Sequence, residues 1–109
     1  MKVYQAAKDL QVNNGATVYS DVILVETAPF EDFLSYQFNS FATVGGVLQT
    51  ITTVAIEGRM TPDAAWVELA SHSASSNVLA QTTEFLPYVR FKFVNSTGAT
   101  RYVSAWVGR

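Results

Sequence analysis

The sequence predicts an all-β domain, an antiparallel β-sandwich of jelly-roll type with about seven to nine strands. Three observations predict it. Short apolar runs rich in Val, Ile, Thr, Phe and Tyr recur along the chain, each too short for a helix. Turn-forming clusters separate them every ~8–12 residues. There is no heptad pattern, internal repeat or low-complexity linker. At 109 residues the chain makes one domain and can bury a core without metal or disulfide staples.

Residues 1–12 read as an N-terminal arm or an edge strand, because Val3, Gln5, Ala7 and Val12 keep no single period. Residues 13–109 read as one sandwich. Asn13-Asn14-Gly15 is a turn, since Asn and Gly tolerate positive φ. Val22-Ile23-Leu24-Val25 is a β-branched run and reads as a strand. Ala28-Pro29-Phe30 breaks it, and Glu31-Asp32 could start a short helical turn. Phe33 to Phe38 alternates, with Leu34, Tyr36 and Phe38 on one face.

Gly45-Gly46 is the next turn, and Val47 to Glu57 reads as a long strand with Val54 and Ile56 pointing inward. Gly58 to Asp63 turns the chain, with Gly58 allowing the bend and Pro62-Asp63 supplying turn chemistry. Trp66 to Leu69 is the return strand, with Trp66 expected in the core between the sheets. Ser71 to Asn77 (SHSASSN) reads as a polar loop, and Val78 to Thr82 as a short edge strand. Pro87 cannot donate to a ladder and belongs at the first position of the next strand. Tyr88 to Val94 has the cleanest alternation: Val89, Phe91 and Phe93 in, Arg90 and Lys92 out. Arg90 is placed to pair with a carboxylate on a neighbouring strand. Asn95 to Gly98 turns, and Thr100 to Val107 returns with Val103, Ala105 and Val107 on one face, so the two strands are expected to form a hairpin.

Composition narrows the function classes. A net charge of −2 with seven scattered Lys and Arg gives no basic face for nucleic acid. The absence of cysteine removes disulfides, thiolate nucleophiles and Cys-based zinc sites. No apolar run approaches the ~20 residues of a membrane span. No leader is visible at the start, so synthesis and assembly in a cytoplasm are expected. Charged residues are only 15% of the chain, against ~25% in ordinary soluble domains. Either a Thr/Ser-rich surface or one covered by a partner follows.

Catalytic signals are sparse. His72 is the only histidine and is expected in a solvated loop, and one histidine without cysteine does not make a zinc site. Glu31 and Asp32 are adjacent, so on a strand they would point to opposite faces. Glu57, Asp63, Glu68 and Glu84 could only be assembled from a distance, and nothing singles them out. Asp63 lacks the dense acidic loop of a calcium site, and Gly45-Gly46 precedes a strand rather than a phosphate-binding helix. No enzyme activity and no cofactor are expected. Tyr102 and Trp106 fall opposite the Val103, Ala105 and Val107 face, and exposed aromatics there could meet a protein or stack on a sugar.

The second half also carries a pattern. Ile56-Glu57-Gly58-Arg59, then Pro62-Asp63 and Trp66-Val67-Glu68-Leu69, resembles small β-sandwich virion proteins of tailed bacteriophages. Leu86-Pro87-Tyr88-Val89-Arg90-Phe91 and the segment Asn95 to Trp106 continue the resemblance, which covers roughly residues 47–109. Arg59, where Ser is common, and Ala64-Ala65 depart from it. The resemblance implies a non-enzymatic capsid decoration (cement) protein on the outside of the major capsid shell, with Gly58, Pro62, Asp63, Trp66, Pro87 and Arg90 as structural residues. A neck, tail or baseplate protein and a carbohydrate-binding module are the alternatives. Expected partners are the major capsid protein and copies of the chain as dimer or trimer, without nucleic acid or membrane; the expected location is the virion. Val3, Tyr4 and Leu10 on the arm, with Tyr102 and Trp106, are the expected contact residues.

Overall fold

The computed structural model describes residues 1–25, 33–84 and 86–109. Among them are nine strands and no helix: β1 (Val3–Val12), β2 (Thr17–Tyr19), β3 (Ile23–Leu24), β4 (Leu34–Phe41), β5 (Ile51–Arg59), β6 (Val67–Ser75), β7 (Asn77–Thr82), β8 (Tyr88–Val94) and β9 (Arg101–Gly108). They form two antiparallel sheets, ordered β1-β9-β4-β7 and β2-β8-β5-β6, with β3 also on β8. β2 and β3 are two pieces of one interrupted strand. Across the break Ser20 stands in for the ladder: its N–H donates to Phe91 O (3.0 Å), and Phe91 N–H donates to its Oγ (2.8 Å). Counted so, the pairs nest as in a rolled hairpin: β1 with β9, β2/β3 with β8, β4 with β7, β5 with β6. This is jelly-roll topology.

The core lies between the sheets where alternation predicts it. Leu34, Tyr36 and Phe38 of β4 face Val89, Phe91 and Phe93 of β8, and all are buried. The Phe91 and Phe93 rings stack at 6.0 Å, and Tyr36 meets Phe91 edge-on at 6.3 Å. Each such ring contributes roughly 1.5–3 kcal/mol by leaving water. Val54 and Ile56 of β5 stand opposite Phe93 and Phe91 in register and are buried with them. Gly58 follows on that face without a positive φ. A Cβ there would lie 3.0 Å from Leu69 and 3.1 Å from Leu86, so close packing, not a bend, calls for glycine. The chain turns later, at Thr61–Ala64, where Ala64 N–H donates to Thr61 O around Pro62-Asp63.

Several expectations give way. Val47–Thr50 does not continue β5, which begins at Ile51: Leu48 instead forms an isolated antiparallel bridge with Phe41 at the end of β4, flanked by Ala42 N–H to Val47 O (3.1 Å) and Gln49 N–H to Ser40 O (2.9 Å). The polar segment Ser71–Asn77 is not a loop: β6 runs through Ser75 and β7 starts at Asn77. Serines alternate outward there while His72 points in, so polar composition concealed an edge strand. Of the two readings of residues 1–12, the edge strand is the one observed and the free arm is not: β1 is a ten-residue strand at the sheet edge, paired with β9 with two register shifts. Tyr4 and Leu10 pack against the core, and Ala6, Ala7 and Val12 belong to it. The strands at 88–94 and 101–108 form no hairpin, since β8 and β9 lie in opposite sheets. Ala28-Pro29-Phe30 and Glu31-Asp32 lie outside the described residues.

Asn95 explains the crossing from β8 to β9. Its side chain is fully buried. Its Nδ2 donates to Val12 O (2.8 Å) and Ala99 O (2.7 Å), while its Oδ1 accepts from Thr97 N–H (3.1 Å) and Thr97 Oγ1 (2.7 Å). Its backbone bonds Ala16 O and Gly15 N–H. One residue thus ties the β1–β2 turn to the corner between the sheets, with Gly15 (φ +82°) and Gly98 (φ +97°) in conformations that glycine adopts without strain.

Asn95→Ala takes the amide donor from the Val12 and Ala99 carbonyls, of which Ala99 O keeps Thr97 Oγ1 (3.1 Å), and takes the acceptor from Thr97 N–H; it should cost about 2–4 kcal/mol in urea denaturation, against less than about 1 kcal/mol for Thr97→Ala. Equal small losses would show that the corner is held elsewhere. Deleting Met1 to Leu10 removes core residues and uncovers β9, so the truncated chain should lose its cooperative thermal transition; a retained transition would show that β1 is dispensable.

Candidate functional site: two unlike sheet faces

His72 is the natural starting point for chemistry, and its surroundings are structural. It sits on β6 opposite Val54, with its ring 5.7 Å from Tyr36 and 5.8 Å from Phe38. Its Nε2 lies 2.7 Å from Tyr36 Oη, a hydrogen bond whose direction follows the imidazole tautomer. This bond links the two sheets across the sandwich side. Burial raises the Tyr36 phenol above its ordinary pKa. Among the described residues, no three His, Asp or Glu side chains gather as a metal site would require.

The outer face of the β2-β8-β5-β6 sheet is charged and aromatic. Arg90 Nε donates to Glu57 Oε1 across the β5–β8 pair at 2.9 Å. Its guanidinium carbon lies 4.0 Å from the Tyr19 ring centroid and 4.3 Å from that of Trp66. Arg59 also lies over the Trp66 ring, at 4.2 Å. Trp66 therefore does not fill the space between the sheets. It stands outside, one register step beyond Gly58 and Val67, where two cations stack on its rings. The cluster fixes long side chains to one another and joins three strands on the surface.

The outer face of the β1-β9-β4-β7 sheet is the opposite. In one row Gln5, Trp106, Gln37 and Leu79 stand side by side across the four strands. In the next stand Val3, Gly108, Ser35 and Gln81. Beyond Trp106 come Ser104, Asn39 and Asn77, then Gln11, Tyr102 and Phe41. None of these positions carries a charge; Lys8 and Asp9 lie in the β1 bulge at the side. Val3 is 63% exposed and Leu79 75%. Met1 lies against Gly108, 2.7 Å from where a Cβ would sit. Met1, Val3, Leu79 and Trp106 line an open apolar groove of about 160 Å³.

Of the contact residues expected from sequence, Val3, Tyr102 and Trp106 share this face, whereas Tyr4 and Leu10 point to the core. Pro62 and Asp63 form the exposed turn, and Pro87 sits just before β8, where its carbonyl accepts from Val25 N–H (2.8 Å). Leu79, Gln37 and Gln5 share the face as well, without having been expected there. Leu79 had a signal, because in Val78-Leu79-Ala80 its neighbours share a face and leave it on the other. The glutamines had none, since only the register of four strands sets them beside Trp106. No protein-family model matches the chain, and no curated protein matches it.

The buried phenol gives a pH signature. In the unfolded chain Tyr36 ionises near its ordinary 10.0, before the folded chain does, so its contribution to stability is complete below that pH and is lost above it. Between about pH 8 and about pH 11 the wild type should lose more stability in urea than Tyr36→Phe. Parallel losses would mean that the phenol is not held in its neutral form.

Proposed function

We propose that this chain is a non-enzymatic structural protein of a tailed-phage virion, a capsid decoration protein that binds the outside of the major capsid shell. The observation that carries the proposal is the uncharged face around Trp106 and Leu79, set against a charged face on the other side of the same sandwich. A surface that must shed water over a wide area favours such a face, because every unpaired charge covered by a partner is costly. The resemblance over residues 47–109 points the same way. Jelly rolls serve viral capsids and lectins alike, so topology adds only an analogy.

Cement works through area. Four strands about 4.8 Å apart and eight residues long present a footprint of roughly 500 Å², somewhat below the ~800 Å² per partner of a standard interface. Many weak copies on one lattice hold together through high effective concentration. The groove beside Trp106 would take an apolar side chain of the shell, while the Glu57, Arg59 and Arg90 face would stay in water. Neck, tail or baseplate placement uses the same face with fewer copies. One observation favours a second reading. Trp106 is flanked in register by Gln5 and Gln37, an indole between amides, as a sugar platform requires.

Particle composition decides between them. In virions that carry this gene, gel densitometry and an electron-microscopy map should show hundreds of copies on the shell, and Gln37→Glu should lower occupancy roughly tenfold at unchanged melting temperature by placing a charge in the contact. Tens of copies at the tail would move the protein there. Absence from particles would end the virion reading, and a glycan-array signal lost in Trp106→Ala would establish the sugar reading.

A further inference from the structure

The edge of a β-sheet is a row of unpaired N–H and C=O groups, and folded proteins blunt such edges. Three of the four edges here are blunted. β1 is bulged between Gln5 and Ala7 and again before Leu10, with Asp9 at φ +48°. β2 and β3 are three and two residues long. β6 pairs irregularly at Ile56/Glu57, carries Glu68 and has Ala74 at φ +50°. Among the described residues, β7 has none of these devices. Its six residues, Asn-Val-Leu-Ala-Gln-Thr, hold no charge, Pro or Gly and keep an unbroken register with β4.

The phase of the ladder shows which groups are free. Ser40 N–H donates to Ser76 O at 2.8 Å, one step beyond the opposed pair Asn39 and Asn77. Antiparallel alternation then commits Val78, Ala80 and Thr82 to β4, and directs the N–H and C=O of Asn77, Leu79 and Gln81 toward the open side.

We propose that this edge is a homodimer interface: β7 pairs antiparallel with β7 of a second copy, centred on Leu79, so that two four-stranded sheets become one. The edge is its own complement. A twofold axis at Leu79 sets Leu79 against its counterpart, Asn77 against the second copy's Gln81, and Val78 against the second copy's Ala80. The opposed residues are those whose backbone groups point outward, giving about six ladder bonds. Apolar meets apolar, amide meets amide, and no charge meets a like charge, whereas a twofold through β6 could bring Glu68 near its own copy. Pairing covers the most exposed leucine and extends the uncharged face into a plane of twice the width. The inference concerns self-association and stands apart from any binding to a capsid.

The chain has no cysteine, so single cysteines report the register cleanly. Opposed Cα atoms in a hydrogen-bonded antiparallel pair lie ~5.5 Å apart, within the ~4.4–6.8 Å disulfide range. Leu79→Cys would face itself, while Asn77→Cys and Gln81→Cys would each sit about four residues, or roughly 13 Å, from their own counterparts. Under mild oxidation of the dilute protein, Leu79→Cys should form disulfide dimers at least about tenfold faster than either equally exposed control. Sedimentation velocity should show a concentration-dependent dimer for the wild type and a monomer for Leu79→Lys at unchanged melting temperature. A wild type that stays monomeric at its highest soluble concentration, or three cysteine variants that cross-link at one rate, would overturn the proposal. Cross-linking and sedimentation are read on the free protein, whereas copy number is read on wild-type particles, so the two proposals fail separately.

Discussion

The structure depends on holding β8 and β9 apart. They are neighbours in sequence and belong to opposite sheets. A short polar link between two strands ordinarily closes a hairpin. Here Asn95 prevents that by using its whole amide inside the corner, on Val12, Ala99 and Thr97. The price of burying an amide is met because both its donors and its acceptor are satisfied. Around it Ser96 N–H donates to Thr52 Oγ1 (2.7 Å), and Gly98 N–H donates to Asn14 Oδ1 (2.9 Å). Two turns and the start of β5 therefore meet at one end of the sandwich, and the two sheets are registered against each other from there.

Much of this architecture was legible in the sequence, and the rest has physical reasons for hiding. The alternations at Phe33–Phe38 and Tyr88–Val94 exposed the core faces of β4 and β8, because each strand has one wet side. The edge strand β7 was legible for the same reason. Pairing partners were not, since Asn95-Ser96-Thr97-Gly98 is equally good chemistry for a hairpin and for a crossing between sheets. β6 was hidden because an edge strand with serines outward reads as a loop. Trp66 misled through its hydrophobicity: size and apolar neighbours suggest a core, but stacking between Arg59 and Arg90 satisfies the same ring on the outside. The uncharged rows around Trp106 were half legible. Trp106 and Tyr102 follow from alternation within one strand, whereas their neighbours Gln5, Gln37 and Leu79 come from three other strands.

The two faces of the sandwich are built on different principles. On one, Arg59 and Arg90 are held by rings and a carboxylate, with Lys92 and Glu68 on the same side. On the other, amides, small hydroxyl groups and a few apolar side chains cover the sheet, and the charged Lys8 and Asp9 are confined to the β1 bulge, where Asp9 N–H donates to Ser104 Oγ. Covering the second face would trap few ions away from solvent, whereas covering the first would bury the Glu57, Arg59 and Arg90 charges.

The nesting of strands has a consequence for how the chain reaches this state. β1 pairs only with β9, and the two are joined near their ends by reciprocal bonds between Lys2 and Arg109 (2.8 and 2.9 Å). A growing chain on the ribosome can zip β5 onto β6 early, as a local hairpin, and add β4 and β7 around it. It cannot complete the sheet containing β1 until the last strand has left the exit tunnel. Until then β1 must wait unpaired, with Ala6, Ala7 and Val12 still in water. Closing that sheet is therefore paced by loop closure between strands at opposite ends of the domain, and the bulges and charges of β1 protect a strand whose partner arrives last.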